Sequence, residues 1–230
     1  MDNLFIEYFK TRMDRNHSEV PEEKEPGPLI TLSRDYGCPG KRIASIISDR
    51  IREKYHQEWK MISKEILETL AIELNLDPSV VKDLANFEER RLTDYIALLL
   101  SKDYYPGEMK IKNTLSEIIK SFATKGNVII VGRAGFYITK HIERSYHIKL
   151  YAPIEWRIDY LSNKLGLSYP DAMKLVEEMS RKRQLFLKYF AVQKKQDIEF
   201  DALFDCSLLS DEQIISKIMA GLEQRGFFVQ

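Results

Sequence analysis

The chain has 230 residues, 44% of them hydrophobic and 30% charged, a balance that suits one globular domain of ordinary size and excludes a disordered chain. Its 35 basic and 35 acidic residues cancel, which argues against generic nucleic-acid binding, since that function carries a basic surplus. Two cysteines, Cys38 and Cys206, are too few for a disulfide framework and lack metal-ligand spacing. Asp2, Glu7, Lys10 and Arg12 leave no apolar signal-peptide core, and no uncharged apolar stretch reaches the roughly 18 to 20 residues that span a bilayer. The expected location is the cytoplasm, with no membrane partner.

Residues 1–27 read as an N-terminal extension and linker, because Pro21 to Pro28 mixes prolines with solvated charges. Leu29 to Ser33 is a short apolar run that suits a buried strand. Ile43, Ile46, Ile47 and Ile51 recur at helical spacing just after it. Trp59 to Ile62 reads as a second strand, with Ser63 capping a helix to about Leu74. Asp77-Pro78 opens another short helix, and further helices are expected over Glu88 to Leu100 and Glu108 to Lys125, the last stopped by Gly126.

Val128 to Val131 is a continuous apolar run, and His147 to Tyr151 a third strand candidate. Pro153 opens a helix that ends near Gly166, and Ser168 caps a long helix from about Asp171 to Lys194. Leu203 to Leu208 reads as a last strand, and Ser210 with Gln213 has the spacing of a capping box for the closing helix. Strands alternating with helices predict βαβ units and a mainly parallel sheet.

Ser33-Arg34-Asp35-Tyr36-Gly37-Cys38-Pro39-Gly40-Lys41-Arg42 joins the first strand to its helix. In open α/β sheets ligands bind beyond the carboxyl ends of strands, and amides of a glycine turn converge there on phosphate. Arg34, Lys41 and Arg42 crowd the helix start, where the dipole disfavours each exposed cation by roughly 0.3 to 1 kcal/mol. A bound anion reverses that sign; the alternative is that these side chains simply point into water. In the Walker A pattern only Gly40 and Lys41 fit, with Asp35 in place of the first glycine and Arg42 in place of the Ser/Thr. A second register places Gly40 at the lysine position, and both lack the hydroxyl.

Ile30 to Gly37, continuing through Gly40 to Ile43-Ala44, resembles the opening motif of the cytidylate kinase-like family, I-T-I-S-R-[ED]-[FY]-G-S-G-G-R-x-I-A. The resemblance continues at Val128 to Arg133 and at Ile148 to Arg157, more loosely at Ser180 to Tyr189 and Phe204 to Ser207, and spans roughly residues 28 to 225. It implies a three-layer P-loop NTPase-like fold, a parallel sheet flanked by helices. A helical, acceptor-binding insertion would cover about 63–125 and a lid about 168–195. It also implies ATP and Mg²⁺ as cofactors.

Arg133 follows a buried strand at the edge of the sheet that Arg34 leaves, so the two can clamp a phosphate; the alternative is a salt bridge to a carboxylate. Ala134 stands where the family has aspartate, and Ser180 likewise. Val176, Met179, Phe186 and Phe190 form an apolar stripe with Arg183 in its gap, so Arg183 needs a partner or an open cleft, or else snorkels to the surface. Arg181 faces elsewhere. The resemblance places Arg183 in the lid and Arg157 near the nucleotide base.

The expected activity is a phosphotransferase moving the ATP γ-phosphate to a small acceptor such as CMP or dCMP. Arg133, Arg183 and Lys41 would serve catalysis, and Ser33, Arg34, Gly37, Gly40, Lys41, Arg42 and Arg157 would bind the nucleotide. No metal ligand is identified beyond Asp35 as the nearest carboxylate. The rivals are a non-catalytic nucleotide-binding regulator and a kinase of another small molecule. The sequence leaves the oligomeric state open.

Overall fold

Apolar runs without polar alternation form strands buried on both faces. In the computed structural model, which describes residues 26–63, 108–190 and 199–228, β1 is Leu29–Arg34, β2 Lys60–Ile62, β3 Val128–Val131, β4 Ser145–Tyr151 and β5 Ala202–Asp205. The helices are α1 Gly40–Tyr55, α2 Glu108–Lys125, α3 Gly135–Thr139, α4 Ile154–Leu165, α5 Tyr169–Phe190 and α6 Asp211–Gln224. The strands make one sheet in the order β2-β3-β1-β4-β5, with every neighbouring pair parallel. β1 is therefore central. Leu32 lies beside Val131 of β3 and Ile148 of β4.

One face of the sheet is covered by α1 and α6. Ile43, Ile47 and Ile51 from α1 and Ile214, Ile218 and Leu222 from α6 pack there with Ile30, Leu32, Ile129 and Ile148. The opposite face takes α3, with α2 beside it. Phe136 of α3 stands edge-on to the ring of His147 at 5.2 Å between centroids. A second cluster joins α4 to α5 through Ile158, Leu161, Leu175, Val176 and Met179, and Tyr36 of the β1–α1 turn belongs to it. That shared tyrosine anchors the α4–α5 unit beside the carboxyl end of β1.

Local signals placed most boundaries. α2 stops at Lys125 before Gly126, α4 ends with Gly166 in the left-handed region, and Ser210 and Gln213 close both bonds of the capping box. Two expectations change. β5 ends at Asp205 rather than Leu208, because the Asp205 carboxylate accepts from the backbone N–H and the hydroxyl of Ser207 and bends the chain into a turn. The short helix α3 was not foreseen, since its N-cap is Ala134, which has no capping side chain. The helices expected between Ser63 and Leu100, the turn at Tyr104 to Gly107, the extension up to residue 25 and positions 191–194 of the long helix lie outside the described residues. No helix of the described residues is long and apolar enough to cross a membrane.

Candidate phosphate-binding site

The carboxyl ends of β1, β3, β4 and β5 meet at one rim of the sheet, and the turn from Asp35 to Pro39 leads from β1 into α1. Helix α1 starts at Gly40 with Pro39 as N-cap. No side chain caps it and its first turn holds no acidic residue. Gly40 donates its N–H to the Cys38 carbonyl at 2.9 Å and Ile43 to the Pro39 carbonyl at 3.0 Å. A helix mouth with N–H groups outside the helical ladder, no capping side chain and no acid is the arrangement that favours an anion.

Arg34 crosses this mouth. Its aliphatic stem runs beside Gly40, where a Cβ would stand 3.1 Å from Arg34 Cδ. Its guanidinium rests on Gly132 after β3, where a Cβ would stand 1.9 Å from Nη1. Any side chain at 132 would displace the guanidinium, and the φ of 74° there also favours glycine. The arginine thus spans from the end of β1 to the end of β3.

The turn it reaches is conformationally unusual. Gly132, Arg133 and Ala134 all have positive φ, at 74°, 54° and 56°. The turn is closed by the Gly135 N–H on the Gly132 carbonyl at 2.9 Å. Each left-handed non-glycine residue costs roughly 1–2 kcal/mol, and such strain gathers at ligand sites. It holds Arg133 just past the carboxyl end of β3, with its Nε buried.

Arg183 of α5 joins the same rim. Its Nη1 donates to the Arg34 carbonyl at 3.1 Å, and its guanidinium carbon lies 5.1 Å from the Tyr36 ring centroid. Arg181, two residues away, is exposed. Arg157 sits beneath the turn, where a Cβ on Gly37 would come within 2.9 Å of Arg157 Cβ. It donates from Nε to the Ala152 carbonyl at 3.1 Å, and from Nη1 to the Tyr36 carbonyl at 3.1 Å and the Ser180 hydroxyl at 3.2 Å. Its bonds are therefore to protein, and Ser180 supplies a neutral partner where an aspartate would neutralise it.

The remaining predicted residues divide. Lys41 is exposed on the first turn of α1, and Ser33 is half-buried next to Lys149 in the sheet register. Arg42 turns away to Asp211 at the start of α6, at 2.6 Å. Asp35 pairs with Lys149 of β4 at 2.5 Å. Lys149 went unread in the sequence; its only signal is a lone charge inside an otherwise apolar segment of β4.

These residues suit the phosphates of a nucleotide, since Arg34 lies across an uncapped helix mouth, Arg183 is held on the Arg34 carbonyl and Arg133 follows the adjacent β3. Among the described residues no carboxylate set makes a site for Mg²⁺. The carboxylate in the β1–α1 turn, Asp35, is held by Lys149, and the described residues contain no cluster of three or more His, Cys, Asp or Glu able to hold a metal. Any Mg²⁺ would therefore depend mainly on phosphate oxygens and water.

A central parallel strand that ends in a glycine turn at a helix N-terminus defines an α/β protein of the P-loop type. The profile of the cytidylate kinase-like family matches residues 29–208, and the chain belongs to that family. An uncharacterized protein from Eubacterium ventriosum is similar in fold, with 15% identity and a TM-score of 0.57 over 86% of this chain and 98% of that one. A shikimate kinase from Bacteroides thetaiotaomicron shows 11% identity and a TM-score of 0.47, over 86% and 97% of the two chains. A gluconokinase from Sinorhizobium meliloti shows 12% identity and a TM-score of 0.42, over 88% and 99%. No curated protein matches the chain.

Proposed function

We propose that this protein is a nucleotide-dependent phosphotransferase that moves the ATP γ-phosphate to a small acceptor, in the simplest case CMP or dCMP. The observation that carries the reading is the guanidinium of Arg34 laid from the uncapped mouth of α1 across to Gly132, beside the left-handed turn that holds Arg133. Phosphoryl transfer needs positioning and neutralisation of charge on the phosphoryl oxygens. The α1 amides and Lys41 hold the donor phosphates, Arg34 bridges β1 and β3, Arg133 contacts the phosphoryl group in transfer, and Arg183 approaches from α5. Arg157 positions the turn through the Tyr36 carbonyl. In the register that places Gly40 at the Walker lysine position, the Arg34 stem passes that point and its guanidinium, at Gly132, takes the place of the lysine charge. Mg²⁺, when bound with the nucleotide, supplies charge neutralisation on the β- and γ-phosphates.

A coupled ADP-release assay over nucleoside monophosphates and other hydroxyl acceptors tests the reading; absence of turnover with every acceptor would overturn it. Arg133→Ala is expected to lower kcat/KM by about 100-fold, the scale of losing one transition-state donor. An unchanged value would remove Arg133 from the site.

The Asp35–Lys149 pair favours a second reading, a nucleotide-binding regulator without turnover, because it engages the carboxylate of the β1–α1 turn. That reading predicts tight nucleotide binding with no ADP release.

A further inference from the structure

In β4, whose sequence is SYHIKLY, Lys149 is the only lysine, arginine or acid. Side chains alternate along a strand. Tyr146, Ile148 and Leu150 pack on the α1–α6 face, so His147 and Lys149 belong to the other face, where His147 meets Phe136 of α3. Lys149 is the next position on that face toward the carboxyl end, beside Ser33 in the sheet. There its Nζ lies 2.5 Å from Asp35 Oδ1, with the two side chains 24% and 32% exposed.

Asp35 is the only acidic residue between Ser33 and Arg42. An acid in that stretch works against an anion site. Unpaired, its charge would stand in the turn that receives phosphate, and the repulsion grows as water is excluded.

The backbone of the turn does not need the ion pair. The Asp35 N–H donates to the Leu150 carbonyl at 3.0 Å, one step past the pairing of Arg34 with Leu150. The Asp35 carbonyl accepts from the Cys38 N–H at 3.2 Å. Main-chain bonds therefore fix Asp35 in place, and a partly exposed ion pair contributes little to stability. What the ammonium adds is charge compensation.

We propose that Lys149 is a positioning residue of the phosphate site: it acts through Asp35, whose carboxylate it holds toward β4 and neutralises, so that the β1–α1 turn admits a nucleotide's phosphates. The proposal rests on the phosphate-site reading above and is the same with or without turnover.

The two charges have opposite effects on a phosphate. Without Lys149, Asp35 is a bare anion in the turn and repels the ligand. Without Asp35, the Lys149 ammonium is left at the rim and attracts it. Removing both restores the balance. A pair that serves packing alone behaves otherwise: each single variant loses affinity and the double variant is no better.

ATP binding is measured by calorimetry at low ionic strength for the wild type, Lys149→Met, Asp35→Asn and the double variant. Methionine keeps the unbranched stem and asparagine the shape of the acid, so packing changes little. Lys149→Met is expected to weaken ATP binding about tenfold, the scale of one like charge near the phosphates at intermediate dielectric. Asp35→Asn should tighten it about threefold, and the double variant should return to within about threefold of the wild type. Lys149→Arg, which keeps the charge, should recover most of the affinity lost in Lys149→Met, and high salt should narrow the gap between Lys149→Met and the wild type.

Unchanged affinity in Lys149→Met, weaker binding by Asp35→Asn, or a double variant no better than Lys149→Met overturns the proposal. So does a large drop in the urea midpoint of Lys149→Met that the double variant fails to recover. If Lys149→Met does not fold, Asp35→Asn decides alone: tighter binding supports the proposal, and equal or weaker binding overturns it. A wild type that binds no ATP removes the phosphate-site reading and this proposal together, whereas wild-type binding that Lys149→Met leaves untouched removes only this proposal.

Discussion

Gly132 shows how one missing atom can support a site. It has φ of 74°, and a Cβ there would collide with Arg34 Nη1 at 1.9 Å. Gly132→Ala should therefore cost about 1–2 kcal/mol in backbone strain alone and also displace the arginine. The expected outcome is a lower urea midpoint together with weaker nucleotide binding; retained affinity would separate Arg34 from the site. His147 tests a different principle. Its Nε2 lies 2.9 Å from Ser145 Oγ and its Nδ1 2.7 Å from Thr31 Oγ1. Ser145 gives its hydroxyl proton to the Ile142 carbonyl, so Nε2 must donate to Ser145 and Nδ1 must accept from Thr31. Burial holds this histidine below its ordinary value; Asp201 pulls the other way, and Arg225 adds to the lowering. The unfolded chain thus takes up the proton first. Stability is full above about pH 6.5 and falls as pH drops below it. Urea midpoints at about pH 7.5 and 5.5 should show that loss, and His147→Gln should flatten it.

Among the elements, the β1–α1 turn depends on contacts from beyond its own sequence. Tyr36 packs into the α4–α5 cluster, Arg157 of α4 holds the Tyr36 carbonyl, and Arg183 of α5 holds the Arg34 carbonyl. The turn and the α4–α5 unit thus hold each other. Arg157→Met removes three hydrogen bonds made by one charged group and should cost about 1–3 kcal/mol. Hydrogen exchange at the amides from Gly37 to Lys41 should accelerate; unchanged protection would show that Arg157 does not brace the turn. The helices were legible because their signals are local. The Ser210–Gln213 box and Gly166 each act within a few residues, whereas α3 starts from a left-handed Ala134 that carries no sequence mark.

For the molecule as a whole, a formal net charge of zero means that any attraction for a phosphorylated ligand comes from the rim of the sheet and not from the surface at large. ATP at about 100 times its dissociation constant should add roughly 2.7 kcal/mol, which raises the melting temperature by roughly 5–11 °C for a chain of this size. High salt should shrink that shift, because exposed cations are screened beyond roughly 3 Å at 1 M ionic strength. An absent shift in low salt would count against a nucleotide site.

By itself the sequence determined the alternation of strands and helices, most of their ends, and the crowding of cations where β1 enters α1. Periodicity, capping and glycine stops act over a turn or two, so they can be read without knowing what packs where. Only the tertiary structure decided which charges meet. Placing β1 between β3 and β4 lays Arg34 on Gly132, gives Asp35 to Lys149 and sends Arg42 to Asp211, and the α4–α5 unit brings Arg183 to the end of β1. These partners are far apart along the chain, and strand order, which no local pattern encodes, sets the distances between them.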